Sequence, residues 1–227
     1  MPPIRPNDED PRLTPIAATL AAHAARLDRM GWMLGTSGSL SARLASDPLT
    51  LLITVSGKGK GDLTTSDFLI IEDDGAVFST LGDPQASSAA LFAGQPRPSG
   101  ESLVHEALYR RFPEASAVYH VHSVEATLCG QLIEPGQHLR FEGLEMLKGL
   151  GRWEPGAQVR VPVVYNDPSI PALAALVAQA ADPAVPGVLV QGHGTYVWGE
   201  DAARALRHVE ILEFLFQYAL RCRALGL

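Results

Sequence analysis

The sequence is short of cysteine and of positive charge, and it has no long apolar run. Cys129 and Cys222 are the only cysteines, stand far apart and form no Cys-x-x-Cys pair. That argues against a disulfide framework and fits a reducing compartment. Lysines and arginines number 18 against 25 aspartates and glutamates, a net charge of −7. No basic field is therefore present for nucleic acid or an anionic membrane. No uninterrupted apolar stretch approaches the roughly 20 residues of a membrane span. The start, MPPIRPNDEDPRLTP, is polar and Pro-rich without the apolar core of a signal peptide. A cytoplasmic location is the expectation. Two nucleotide motifs are also missing: no G-x-x-x-x-G-K-[ST] occurs, and no G-x-G-x-x-G opens a helix after a strand.

What remains is the composition of a soluble globular protein with a sizeable core, 46% hydrophobic and 19% charged over 227 residues. Leu13, Ile16, Leu20, Ala24 and Leu27 recur at steps of three and four, which predicts an amphipathic helix ending near RMGW. Short strands follow in SLSARL, LTLLITVSG, DFLIIEDDG and AVFST. The Gly/Pro/Ser/Ala-rich stretch LGDPQASSAALFAGQPRPSG reads as a surface loop rather than a linker, since strands resume beyond it. A helix is predicted from Ser99, a potential cap, with Leu103, Val104, Ala107, Leu108 and Phe112 on one face. ASAVYHVH is the next strand, followed by a short helix around LEMLKGL and a strand QVRVPVV. Then come a helix over about 169–181, a hairpin GVLVQGHGTYVWG turning at Gly-His-Gly, and a long helix over about 200–225. Such an order predicts a mainly antiparallel or mixed sheet covered by helices.

Within ASAVYHVH, His120 and His122 are two residues apart, so in a strand both rings leave the same face, about 6.6 Å apart. Two such rings can bend onto one ion, but surface or hydrogen-bonded core histidines have the same spacing. His193 narrows the choice. It stands between Gly192 and Gly194, where a plain hairpin tip would prefer Asn-Gly or Asp-Gly, so the turn is shaped to present its imidazole. Three histidines with a fourth position open make a catalytic rather than a structural zinc site. Glu101 opens the helix of SGESLVHEALY, where it either favours the helix dipole or serves as a proton-moving carboxylate near the metal. Glu145 in GLEMLKG is a second carboxylate of that kind, or an ordinary short-helix residue. His105, four residues after Glu101, reads as a packing or supporting residue. Two Gly/Ser-rich stretches, GTSGSLS and VSGKGKG, could cradle an anion through backbone N–H groups or be plain turns.

Taken in order, TSGSLSARL, ITVSGKGKG, RPSGESLVHEALYRRFPEASAVYHVHSVEAT, LEMLKGL and GHGTYVWGEDAARALRHVEILEFL resemble the class II aldolase/adducin family. The likeness runs from about residue 12 to near the end of the chain. EMLKG and GHGTYVWG point to the family's sugar-phosphate dehydratases rather than its aldolases. The resemblance implies one α/β/α domain over residues 1–227, a three-layer fold around a mainly antiparallel sheet, with 1–11 a flexible N-terminal segment. It implies one Zn2+ per subunit held by His120, His122 and His193, with Glu101 and Glu145 moving protons. Phosphate contacts would come from Ser37, Gly38, Ser56, Gly57, Lys58, Ser99 and Gly100. It further implies a homotetramer with active sites between subunits and a phosphorylated small-molecule substrate.

One position departs from the pattern. The family usually reads Gly-Asn-Leu-Ser where this chain has Gly38, Ser39, Leu40 and Ser41. Serine is shorter than asparagine and has one donor, so the asparagine's substrate contact is lost, bridged by water or supplied by another residue. Metal-assisted chemistry of this kind also serves retro-aldol cleavage by fuculose- or rhamnulose-phosphate aldolases, and adducin-like members are scaffolds without catalysis.

Overall fold

The computed structural model describes residues 11–72, 77–79 and 96–227. The N-terminal segment, except Pro11, and most of the Gly/Pro/Ser/Ala-rich loop fall outside these residues.

The chain opens with α1 (Leu13–Arg29), whose Leu13, Leu20, Ala24 and Leu27 are buried as the three-and-four spacing predicts, joined by Ala17 and Ala21, while Ile16 is only half-buried against the same core. It continues through β1 (Ser39–Ser46), β2 (Leu49–Thr54), β3 (Phe68–Glu72) and β4 (Val77–Ser79) to α2 (Ser102–Arg111) and β5 (Ala117–Val121). Next come α3 (Val124–Leu132), β6 (His138–Glu142), a 3-10 helix (Glu145–Leu150), β7 (Gln158–Val164) and α4 (Ile170–Ala180). The hairpin β8 (Gly187–Val190) and β9 (Gly194–Gly199) leads into α5 (Ala202–Leu225), capped by Asp201 and ended by Gly226 in a left-handed conformation.

Among the described residues the strands form one nine-stranded sheet in the order β4-β3-β2-β1-β5-β9-β8-β7-β6. Every pairing is antiparallel except β7 with β8. One face packs against α1, α3, α5 and the 3-10 helix, the other against α2 and α4. This is the three-layer α/β/α arrangement around a mainly antiparallel sheet. Strand β5 shows why its sequence is almost wholly apolar. Ala117, Tyr119 and Val121 fill the first core, and Val118 fills the second. His120 therefore points to the α2 side. Among the described residues no helix is long and apolar enough to cross a membrane.

Three local expectations change. The helix expected from Ser99 begins at Ser102, and Ser99 instead accepts a 3.4 Å hydrogen bond from the Glu101 N–H through its Oγ. Strand β5 stops at Val121, because the His122 N–H leaves the ladder to bond the Trp32 carbonyl at 2.8 Å. Helix α3 and strand β6 are additional elements with no counterpart in the sequence reading.

Candidate metal centre and active site

The β5 register sets Ser39 of β1 on one side of His120 and Tyr196 of β9 on the other. The turn from β8 to β9 brings His193 over the same end of the sheet. His122 Nε2 lies 2.7 Å from His120 Nε2, and His193 Nε2 lies 3.3 Å from it. Glu101, at the N-cap of α2, places Oε2 at 3.0 Å from His120 Nε2 and Oε1 at 3.2 Å from His193 Nε2. One ligand atom from each of these four residues lies within 4.8 Å of the others.

The hydrogen bonds behind the rings decide what the facing nitrogens are. His120 Nδ1–H donates to the Thr195 carbonyl at 3.1 Å, and His193 Nδ1–H donates to Asn166 Oδ1 at 3.2 Å. Each neutral ring has one proton, so both Nε2 atoms carry lone pairs. Lone pairs and a carboxylate facing one another at 3 Å repel unless a cation lies among them. Tetrahedral Zn–N bonds of about 2.1 Å put nitrogens roughly 3.4 Å apart. The donor set and its outer hydrogen bonds thus fit a divalent ion. Burial, then the imidazoles of His120 and His193, push His122 down to about 3, which keeps it neutral as a ligand must be. Burial would raise the Glu101 carboxyl, but positive charge beside it, whether on His120 and His193 or on a bound ion in their place, holds it well below the usual carboxylate range.

Beneath the cluster lies a buried polar layer. His105 sits between two serines of β1, with Nε2 2.8 Å from Ser39 Oγ and Nδ1 2.7 Å from Ser41 Oγ, and Ser41 continues to the Tyr109 hydroxyl at 2.9 Å. Burial, then His120, pushes His105 down to about 3, so it is neutral. Ser39, where the family has asparagine, is thus fully buried with its hydroxyl committed to His105.

The anion-binding candidates converge beside this layer. Gly38 has φ 74°, and a Cβ there would lie 2.7 Å from the His120 carbonyl oxygen, so only glycine lets this loop lie on β5. The Ser56 N–H bonds the Arg97 carbonyl and the Ser99 N–H bonds the Thr54 carbonyl, which ties the segments around Gly57 and Gly100 together. Lys58 is held by Asp67 at 2.7 Å. Lys60, by contrast, is buried and donates to the carbonyls of Thr36 at 2.9 Å and Lys58 at 3.0 Å, stapling both Gly/Ser loops. Ser37 Oγ donates to the Leu34 carbonyl.

Glu145 stands apart. Its side chain is 82% exposed and pairs with Lys148 at 2.7 Å. Lys148 lines a cleft of about 330 Å³ with Ala115 and Gly199, which lie at the opposite end of β5 and β9 from the histidines. Asn166 and Tyr196 are residues at the site that the sequence did not single out, and neither carried a signal. Lys60, which the sequence left as a phosphate-binding or solvated lysine, is neither solvated nor free, being buried against the two loops.

A family model for the Class II Aldolase and Adducin N-terminal domain matches residues 18–220. The chain belongs to the class II aldolase and adducin family. Among curated relatives in this family, methylthioribulose-1-phosphate dehydratase of Microcystis aeruginosa is 40% identical over 92% of this chain and 94% of its own length. The enzyme of that name from Bacillus subtilis is 37% identical, covering 91% and 92%, and that from Yersinia enterocolitica 42%, covering 86% of each. Of solved class II aldolase-like structures, the YgbL protein of Escherichia coli superposes with a TM-score of 0.74 at 25% identity, covering 93% of this chain and 91% of that one. L-fuculose-1-phosphate aldolase from Thermus thermophilus gives 0.67 at 25% identity, covering 95% and 97%.

Proposed function

We propose that the protein is a zinc-dependent hydro-lyase that converts 5-methylthioribulose 1-phosphate to 2,3-diketo-5-methylthiopentyl 1-phosphate in methionine salvage. The observation that carries this reading is likeness to dehydratases of that name over nearly their full length, in a chain whose four candidate site residues converge. His120, His122 and His193 would hold the ion through Nε2, leaving room for substrate oxygens. When bound, the ion supplies Lewis-acid polarisation of the substrate's carbonyl and hydroxyl oxygens.

The remaining work falls to the protein. The substrate carries a phosphate at C1, a ketone at C2 and hydroxyls at C3 and C4. The backbone N–H groups around Ser37, Gly38, Ser56, Gly57, Ser99 and Gly100 would receive the phosphate, with the fixed charge of Lys60 behind them. Lys58 would join them on release from Asp67. Glu101, ionised at neutral pH, takes the C3 proton. The C4 hydroxyl then leaves as water after protonation, and the enol left behind tautomerises to the diketone. Glu101 returns the proton itself, or Glu145 supplies it. Being exposed and remote from its own cluster, Glu145 would act only across an interface, in the homotetramer that the family likeness implies.

The test is to incubate zinc-loaded protein with the substrate and follow both products. Loss of water without C–C cleavage is the expected result. The structural likeness to L-fuculose-1-phosphate aldolase favours a second reading, retro-aldol cleavage. Appearance of dihydroxyacetone phosphate would select that reading and sink the first.

A further inference from the structure

Tyr196 of β9 lies directly across the ladder from His120, and its ring stacks on that imidazole with 3.9 Å between centroids and 6° between planes. His105 meets the same ring edge-on at 5.9 Å and 82°. Tyr196 is fully buried, yet its hydroxyl has no hydrogen-bond partner among the described residues. A buried phenol O–H without an acceptor is costly, and such orphans in a native fold point to a role.

The imidazole on which Tyr196 stacks has the Glu101 carboxylate against its edge, with Oε2 3.0 Å from His120 Nε2. A phenol is protonated at neutral pH, so its O–H is available as a donor. The ring nitrogens nearest Glu101, Nε2 of His120 and His193, carry lone pairs because the opposite nitrogen of each ring donates to Thr195 or Asn166. An uncommitted buried donor therefore stands against the same imidazole as an ionised carboxylate.

We propose that Tyr196 is a positioning residue for the reaction: its hydroxyl donates to Glu101 and holds the carboxylate toward the substrate, while its ring fixes the plane of His120. This rests on the reading of Glu101 as the proton-transferring group. With one carboxylate oxygen held by the phenol, the other is left to meet the C3 proton in a fixed orientation, and orientation is where much of catalysis lies. The phenol itself transfers no proton.

Tyr196→Phe keeps the stacked ring and deletes only the O–H. The variant should retain one equivalent of zinc and a KM within about twofold of the parent, while kcat falls about tenfold or more. Introduced into a Glu101→Gln background, Tyr196→Phe should cause no further loss of kcat, because the hydroxyl acts through that carboxylate. A parental kcat in Tyr196→Phe, or losses that multiply in the double variant, would overturn the proposal. A crystal structure of the zinc-loaded parent gives an answer without turnover. Tyr196 Oη within hydrogen-bond distance of a Glu101 oxygen is expected, and a bond to any other group would refute the assignment. If the parent fails to dehydrate the substrate, the functional reading falls while this structural arm still decides the role of Tyr196.

Discussion

His120 is held from three sides: its Nδ1–H by the Thr195 carbonyl, its face by Tyr196, and its Nε2 edge by the other members of the cluster. A side chain so constrained serves binding, whereas Glu101, at a helix N-cap, has one carboxylate to spare for proton transfer. His120→Ala should therefore lose zinc and activity together, and Glu101→Gln should keep zinc while kcat falls about 10²–10⁴-fold. Metal analysis beside steady-state kinetics checks both; a zinc-free Glu101→Gln protein would move that residue into the metal shell. Glu213 offers a test of a different kind. It is buried on α5, accepts a 2.8 Å hydrogen bond from Ser123 on Oε1 and has no partner for Oε2 among the described residues. Burial first, with the charge of Glu125 adding to it, pushes its carboxyl up from 4.5 to about 8 despite the Ser123 bond. The folded state then binds more protons than the unfolded state between those values, so stability is greatest below about 4.5 and falls as pH rises toward 8. Thermal melts across this range should show Tm falling for the parent relative to Glu213→Gln, with the variant ahead at pH 8 and above.

At the scale of elements, the site is the meeting of β1, β5 and β9 at one end of the sheet with the N-terminus of α2 laid over it. The two Gly/Ser loops are joined to this junction by Lys60. Replacing it with methionine, Lys60→Met, leaves the carbonyls of Thr36 and Lys58 unpaired in a buried position. The expected cost is about 1–3 kcal/mol in chemical denaturation. KM for the phosphorylated substrate should rise as the loops separate; an unchanged KM would detach them from phosphate binding. The periodicity of α1, the apolar runs of the central strands and the Gly-His-Gly turn were all legible in the sequence. The two elements that were not legible have physical reasons. Strand β6 does alternate, with Leu139 and Phe141 turned inward in HLRFE, but a five-residue strand at the sheet edge offers only two apolar positions to signal it. Helix α3 exposes Val124, Leu128 and Leu132 while burying Ala126, Cys129 and Gly130, so apolar residues mark both its faces.

For the whole molecule, the position of Glu145 bears on how the protein assembles. The exposed carboxylate lies at the end of the sheet away from its own chain's histidines. If it supplies the leaving-group proton to a neighbour, Glu101→Gln and Glu145→Gln subunits are each impaired alone. Mixed oligomers would then contain some sites with both intact glutamates. Co-refolding the two variants should restore a fraction of activity, on the order of a quarter when chains mix at random, alongside a tetramer mass by light scattering. Absence of complementation in a verified mixed tetramer would remove Glu145 from the chemistry.

By itself the sequence determined the covalent inventory: three histidines and a glutamate of the right types, set at a strand spacing, a glycine-flanked turn and a helix start. Strand geometry is local, so two residues apart already means one face, and glycine's freedom at a turn is likewise a property of the residue. Only the tertiary structure decided which way each group serves. The parallel pairing of β7 with β8 brings Asn166 to His193, and the β5–β9 register sets Tyr196 against His120. Burial then divides the two lysines of one loop, leaving Lys58 with Asp67 and placing Lys60 between two backbone segments. These relations join residues distant in the chain, and no local propensity encodes them; they follow from the order in which the strands pack.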